Sequence, residues 1–345
     1  MPKNLIETCL KIDENFRKPD DIGLIWEGNY WDDHDVHDCC EIDWETIEIL
    51  VRKIGKAIEN CIINDEHGKN IVVAVPKIMQ LPLIIMACYK IGMVPVIVDP
   101  TIKRFPMEIP VSLVITVDAF WQAQDLIIVK KGLEAIFENI PFLVLRHVAP
   151  NPGVPPPKKH LPARRPYYKT TLEMRDVFDF EWTDVMSAID RNVKLADHRW
   201  SDDETVAILL NPRSSTKVRH SELVEALDRK LSNFENLLRV DLNIENLMIL
   251  DPLDCLDNLA NFLLPWALSK SLTIYEGPLD YPDSSRLAQI IEKHNVDVLI
   301  GSKADYKIPN PEYLNFFPTD KLKILITPCE LLKEKLQVDN NAETI

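Results

Sequence analysis

Short apolar runs alternate along the chain with stretches whose apolar residues recur every three or four positions. The first pattern is typical of buried strands and the second of amphipathic helices. Their alternation favours βαβ units and a mainly parallel sheet. The predicted strands are 71–75, 94–98, 113–116, 142–145, 206–210, 247–250, 272–275, 296–300 and 322–326.

The helical segments carry recognisable end signals. Asp43 is a suitable N-cap for a helix that runs to about residue 60, with its apolar side chains on one face. Residues 81–91 predict a largely buried helix between two strands. The other predicted helices are 125–138, 182–189, 221–238, 255–268, 283–294 and 329–336.

A proline-rich segment interrupts this pattern. Residues 150–166 contain seven prolines in 17 positions, which cannot sustain a helix or a central strand. The segment is also basic, and a proline-rich stretch can dock on SH3-like or WW-like grooves, although an extended linker is the simpler interpretation. We therefore predict an N-terminal α/β lobe at 1–149, a linker at 150–181 and a second α/β lobe at 182–345.

The most informative stretch follows one predicted strand, at 207–220 (AILLNPRSSTKVRH). Hydroxyls and cations between a strand and a helix suit a polyphosphate, because hydroxyls donate hydrogen bonds and cations neutralise charge. A loop of this kind normally needs glycine to bring backbone N–H groups onto the phosphates. None is present here, and a plain polar turn is the alternative. The candidate phosphate ligands are Ser214, Ser215, Thr216 and Lys217, with Lys217 and Arg219 as residual catalytic candidates.

Several segments occur in an order that resembles the large N-terminal domain of AMP-forming acetate–CoA ligase, in the adenylate-forming superfamily. The resemblance rests on IGLIWEGN (22–29), the run at 72–98, SLVITVDAF (112–120), the degenerate loop, and YEG with YPD (275–283). It covers nearly the whole chain. It implies a mixed α/β fold with two mainly parallel sheet lobes and flanking helices.

The departures from the family pattern carry the functional expectation. The family's T-A-P-T-A run becomes Ser302 to Asp305, which places Lys303 and Asp305 where an acyl-pocket wall is expected. Gln122 and Asp125 stand where the family has cations that hold coenzyme A. In the family a G-E-P segment approaches the adenine of ATP, and Glu330 is the residue of that segment that this sequence keeps. The resemblance also implies roughly as many further residues, including a mobile C-terminal domain with a catalytic lysine.

The resemblance implies ATP and coenzyme A as cofactors, with Mg²⁺ as a possible companion ion. The loop glycines and this C-terminal domain are missing from the sequence, so we expect an acetyl-CoA synthetase-like protein with little or no activity. The loss is large because each preorganised hydrogen-bond donor contributes a factor of roughly 10²–10³ to the catalytic rate. The alternatives are a residual acetate–CoA ligase, a regulatory or nucleotide-binding pseudoenzyme that partners a full-length ligase, and a decayed gene product without selected biochemistry.

The composition of the chain limits the classes of binding partner and the location that we expect. A net charge of −15 repels polyanions, which argues against nucleic acid and anionic membranes. The N-terminal sequence has no continuous apolar core, and no apolar run is long enough to span a bilayer, so we expect a cytoplasmic protein. We also expect an uncovered sheet edge that self-associates or binds a synthetase relative, unless the helix at 329–336 caps it.

One cluster of metal-ligand residue types occurs near the N-terminus. His34, His37, Cys39 and Cys40 lie within seven residues, but a second ligand pair with zinc spacing is missing and adjacent cysteines ligate one ion poorly. An acidic, solvated surface loop is the favoured interpretation, and no metal site is predicted.

Overall fold

The computed structural model of the chain describes residues 4–12, 17–29, 38–63, 68–105, 108–149, 171–211, 214–238 and 243–336. Within these ranges it is a mixed α/β protein. Its helices are α1 Leu5–Leu10, α2 Trp44–Cys61, α3 Gln80–Ile91, α4 Lys130–Glu134, α5 Trp182–Ala188, α6 His220–Leu238, α7 Leu256–Ala267, α8 Arg286–Lys293 and α9 Glu330–Lys335.

Fifteen strands are present in the described part of the chain. They are β1 Ile22–Glu27, β2 Cys39–Asp43, β3 Asn70–Ala74, β4 Val94–Ile97, β5 Val111–Val117, β6 Ala119–Gln122, β7 Asp125–Ile128, β8 Phe142–Leu145, β9 Asp179–Glu181, β10 Thr205–Asn211, β11 Ser214–Arg219, β12 Asn246–Ile249, β13 Ser271–Tyr275, β14 Val298–Ile300 and β15 Ile324–Ile326.

Two large sheets organise these strands. The seven-stranded sheet has the order β11-β10-β4-β3-β5-β8-β9 and is parallel except at β10–β11. The six-stranded sheet has the order β15-β14-β12-β13-β1-β2 and is antiparallel only at β1–β2. β6 and β7 form a separate hairpin. The predicted mainly parallel α/β fold is confirmed.

The sheets do not follow the predicted division of the chain into lobes at 1–149 and 182–345. Strands β10 and β11 join the sheet built from β3, β4, β5 and β8, while β1 and β2 join the sheet of β12–β15. Strand pairing over such distances is decided by which apolar faces meet in the folded chain. Local sequence patterns therefore carried no signal for this exchange.

Burial explains why the central strands are so apolar. Every residue of β5 and β8 is buried, as expected where helices cover both faces of a parallel sheet. The predicted cap of α2 is confirmed, because the Asp43 carboxylate accepts a hydrogen bond from Thr46 N at 2.7 Å. Helix α3 ends at Gly92, whose φ of 78° lies in the left-handed region that favours glycine.

Two local expectations are wrong. Residues 125–138, predicted as one helix, form strand β7 and the short helix α4. Cys39 and Cys40, assigned to a solvated loop, begin strand β2 and pair with Glu27 and Trp26 of β1. In both cases backbone pairing with another strand, β6 for β7 and β1 for β2, overrides the local pattern.

The final helix belongs to a second, smaller core. Leu332 of α9 and Leu336 after it are fully buried among apolar side chains from α8 and β14, such as Ile291 and Leu299. The linker residues 150–170 lie outside the described ranges, as do His34 and His37. No helix among the described residues is long and apolar enough to cross a membrane.

Candidate functional site

A cleft lies where the carboxyl ends of strands from both sheets meet. The first cavity in it has a volume of about 450 Å³ and is bordered by the ends of β3, β4, β10 and β13 and by the segment after β12. The carboxyl edge of parallel strands is the usual ligand position in α/β proteins. Its apolar walls include Leu81, Ile97, Phe120, Leu210, Leu253 and Tyr275.

A second cavity of about 470 Å³ shares part of this lining. Lys77, Gln122, Tyr275 and Gly277 border both cavities, so the two are neighbours in one cleft. The second cavity is the more highly charged of the two. Its charged lining residues are Lys77, Lys303, Lys307, Asp280 and Asp305.

Lys77 is the cation common to both cavities. It follows Pro76 just beyond the end of β3, and its Nζ donates a hydrogen bond to the carbonyl oxygen of Leu250 at 2.6 Å. Burial lowers the pKa of Lys77 to about 8, opposed by the nearby charge of Asp251 and assisted by that of Lys303. A lysine with so low a pKa in a cleft is a candidate functional residue.

Asp251 is fully buried beside this lysine and is held by other groups. Its Oδ1 accepts hydrogen bonds from Ser302 N at 2.5 Å and from the Tyr306 hydroxyl at 3.2 Å. Burial, followed by the charge of Asp251, raises the pKa of Tyr306 well above its usual range. The Tyr306 hydroxyl therefore stays protonated and acts as a donor.

The first cavity is also lined by one member of a histidine–glutamate pair. Glu276, which lines that cavity, lies 2.6 Å from Nε2 of His147 through its Oε1. Asp118 positions the backbone around this histidine by accepting hydrogen bonds from the N–H groups of His147, Val148 and Ala149. The cleft thus contains groups able to move a proton as well as one able to bind an anion.

The predicted phosphate-binding residues lie on strand β11, which is paired with β10 at the edge of the seven-stranded sheet. β11 pairs with β10 along its whole length, from Thr205↔Arg219 to Asn211↔Ser214, as the edge strand of its sheet. Ser215, Lys217 and Arg219 are exposed, whereas Thr216 points to the opposite face because side chains alternate along a strand. Ser215, Thr216, Lys217 and Arg219 border neither cavity.

Glu330 also borders neither cavity. It is exposed at the start of α9, where its carboxylate lies 2.9 Å from Lys333 Nζ. By contrast, the sequence departures at Gln122, Lys303 and Asp305 do meet, since all three line the second cavity. Asp125 lies in the β6–β7 hairpin and borders neither cavity.

Sequence reasoning missed Lys77, His147 and Glu276 as site residues. One signal for Lys77 was available, because it is the only charged residue in the otherwise apolar and proline-punctuated run 71–89. Glu276 was noted only as part of the family-like YEG run at 275–277. Nothing in the sequence links it to His147, which lies 129 residues away.

No group of three or more histidine, cysteine, aspartate or glutamate residues is placed to hold a metal ion within the described ranges. Cys39 and Cys40 belong to strand β2, where neighbouring side chains point to opposite faces. The described members of the N-terminal cluster thus show no shared ligand geometry.

No protein-family model matches the chain. Its fold matches that of acetoacetyl-CoA synthetase from Streptomyces lividans, with a TM-score of 0.69 over 96% of this chain and 14% sequence identity. The chain spans about half the length of that synthetase, since 49% of the latter is covered. The adenylate-forming synthetase fold is therefore confirmed, and at this identity the likeness concerns the fold alone.

Two sequence relatives come from Caenorhabditis elegans. The uncharacterized protein ZK112.6 is 49% identical over 142 residues, which are 38% of this chain and 95% of the relative. The uncharacterized protein ZK112.5 is 43% identical over 145 residues, or 40% of this chain and 91% of the relative. Because this identity extends over nearly the whole length of both relatives, the chain belongs to the same family as ZK112.6 and ZK112.5.

Proposed function

We propose that this protein is an acetyl-CoA synthetase-like pseudoenzyme, in which the ATP-dependent activation of a carboxylate is absent or severely impaired. The observation that carries the proposal is the conformation of β11. The candidate phosphate ligands at 214–217 lie on an edge strand that pairs with β10, instead of in a glycine-rich loop.

The strand conformation works against phosphate binding in two ways. Alternation divides the hydroxyls between two faces, so Ser215 and Thr216 cannot both face one phosphate. A strand also lacks the backbone concavity in which successive N–H groups converge on an anion. Lys217 and Arg219 remain as exposed cations, whose interactions are weakened by water and salt. These residues do not fit an ATP triphosphate.

The charge of the first cavity supports the same conclusion. Its charged lining residues are one lysine, Lys77, and three carboxylates, Asp99, Asp254 and Glu276. This surplus of negative charge opposes a polyphosphate at short range. The cleft is better suited to a small ligand with at most one anionic group.

The deciding experiment is acetate-dependent exchange of labelled pyrophosphate into ATP by the purified protein with Mg²⁺. This reaction isolates the adenylation half-reaction from thioester formation. We expect no exchange above that of Lys217→Ala, with circular dichroism and a cooperative thermal transition showing that both proteins are folded. Exchange by the unmodified protein that clearly exceeds the variant would overturn the proposal.

A second candidate function is the regulation of a full-length synthetase through β11. This edge strand presents Ser215, Lys217 and Arg219 to solvent in a protein whose net charge is −15. Unpaired strand edges bind extended segments of other chains, and the local positive charge favours an acidic one. The strand would recruit either a synthetase or a second copy of this chain.

Co-expression with an acetyl-CoA synthetase tests this second function. Co-purification that is lost in Lys217→Glu/Arg219→Glu, with a change in the activity of the synthetase, would support regulation. Concentration-dependent dimers of this chain alone, lost in the same double variant, would assign the edge to self-association. A monodisperse monomer that captures no synthetase would exclude both uses of β11.

A further inference from the structure

Lys77 occupies an unusual position for a charged side chain. It follows the buried strand β3 and precedes helix α3, in a segment whose other residues, Val75, Pro76 and Ile78, are all buried. Its side chain borders both cavities of the cleft. Placing a charged lysine there costs free energy, because its ammonium group loses much of its hydration.

The hydrogen bond of Lys77 does not require a positive charge. Its partner is the neutral carbonyl oxygen of Leu250, and a neutral amine keeps N–H groups that can donate to a carbonyl, although more weakly than an ammonium group. No carboxylate oxygen of the described residues lies within 4.0 Å of Nζ. Lys77 is thus positioned by a contact that persists when its proton is lost.

The charges around Lys77 do not form a close ion pair with it. Asp251 and Asp254 act at longer range, and Asp251 is already bound by Ser302 N and the Tyr306 hydroxyl. Lys303 adds a repulsive positive charge from the second cavity. The other charged groups of the cleft are Asp99, Glu276, Asp280, Asp305 and Lys307.

We propose that Lys77 is an amine nucleophile that captures small aldehydes or ketones in this cleft as an imine. The lone pair of Nζ attacks the carbonyl carbon, and the oxygen takes up a proton to give a carbinolamine. The carbinolamine C–O bond then breaks, its hydroxyl group leaves as water together with the remaining nitrogen proton, and a C=N bond forms between Nζ and the ligand. One water molecule is released and no oxidant or reductant is needed.

The cavities supply the surroundings that this chemistry needs. Phe120, Leu210 and Tyr275 give the first cavity an apolar wall for the hydrocarbon part of a carbonyl compound. The volume of about 450 Å³ admits a small ligand. Desolvation of an active-site amine is an established way to activate lysine. This inference does not depend on the proposed loss of adenylation, because it concerns a different residue and a different reaction.

The test is reductive trapping with benzaldehyde and sodium cyanoborohydride at pH 7.5, followed by peptide mass spectrometry of the full chain. With its pKa at about 8, Lys77 is neutral about 200 times more often at this pH than a lysine with an ordinary pKa. Its lower basicity reduces its intrinsic reactivity, so we expect benzylation at Lys77 to be at least tenfold faster than at exposed lysines.

Lys69 provides an internal control, because it directly precedes β3 and its side chain is 56% exposed. We expect Lys77→Arg to abolish the fast phase and Lys69→Arg to leave it unchanged. The Lys77 rate in the unmodified protein should level off near pH 8, while the Lys69 rate keeps rising. Equal labelling of Lys77 and Lys69, or a fast phase that survives in folded Lys77→Arg, would overturn the proposal.

Discussion

The carboxylate of Glu27 lies 2.6 Å from the guanidinium of Arg286, across 259 residues of sequence. Both side chains are almost completely buried. Lys293 and His294 approach the other carboxylate oxygen, at 2.7 and 2.8 Å. This cluster joins the end of strand β1 to helix α8, so the N-terminal part of the chain is tied to the sheet of β12–β15 by charge as well as by strand pairing.

Replacing Glu27 with Gln should be strongly destabilising. The substitution keeps the shape of the side chain but leaves Arg286 buried without its counter-charge, which costs roughly 3–5 kcal/mol in other buried ion pairs. We expect the free energy of unfolding in urea to fall by about 3 kcal/mol. Glu330→Gln is the control, because Glu330 is 85% exposed and its pair with Lys333 contributes about 0.5 kcal/mol or less. Similar losses in both variants would contradict this account.

The same cluster should make the free energy of unfolding depend on pH in the acidic range. Burial alone would raise the pKa of Glu27, but hydrogen bonds from His294 and Lys293 and the charge of Arg286 lower it to about 2. Because the folded pKa is below the ordinary value, the stabilisation is complete above about pH 4.5 and is lost as the pH falls towards 2. It amounts to about 3 kcal/mol.

Urea titrations of the unmodified protein and Glu27→Gln between pH 7 and pH 3 measure this effect. We expect the difference in unfolding free energy between the two proteins to shrink as the pH falls below 4.5. A difference that stays constant over this range would show that the Glu27 carboxylate gains nothing from its charged partners.

Gly277 should tolerate no side chain, although it lies at the surface of the cleft. A Cβ atom there would meet the Tyr275 hydroxyl and lie 2.8 Å from Oδ1 of Asn29, which accepts a hydrogen bond from Ala123 N. We expect Gly277→Ala to cost about 1–3 kcal/mol by overpacking. In Gly132→Ala the new Cβ meets nothing within 4 Å, and this variant should gain about 0.5 kcal/mol from helix propensity. Thermal melting compares the two, and equal melting temperatures would contradict the prediction.

The cysteines should react with a thiol reagent in two separate groups. Cys39 is exposed, whereas burial raises the pKa of Cys9 and of Cys61 to about 12 and removes them from solvent. Cys39 should therefore react with Ellman's reagent in the folded protein, while Cys9 and Cys61 should react only on unfolding. Cys39→Ser should remove the fastest phase and leave only the slower reaction of the half-buried Cys40 and Cys255, whose pKa values are raised by burial. Rapid labelling of Cys9 or Cys61 under native conditions would show that the core opens readily.

The resemblance in the sequence was specific enough to predict the mainly parallel α/β fold. Gln122, Lys303 and Asp305 were identified as departures from the family pattern, and the structure places them together in the second cavity. Lys217 and Glu330 were identified by their positions in family motifs, and both are exposed and border neither cavity. Which role Lys217 retains stays a prediction for the exchange assay.

The sequence by itself determined the elements whose signals are local. The cap at Asp43, the periodicity of α2 and the apolar run of β5 depend on neighbours within one or two turns or along one strand. Only the tertiary structure decided that β10 and β11 join the sheet of β3, and that β2 forms from a segment that looked like a loop. It also brought Lys77 to Leu250, 173 residues away. Such contacts depend on the packing of apolar faces across the whole chain, and no local pattern encodes that packing.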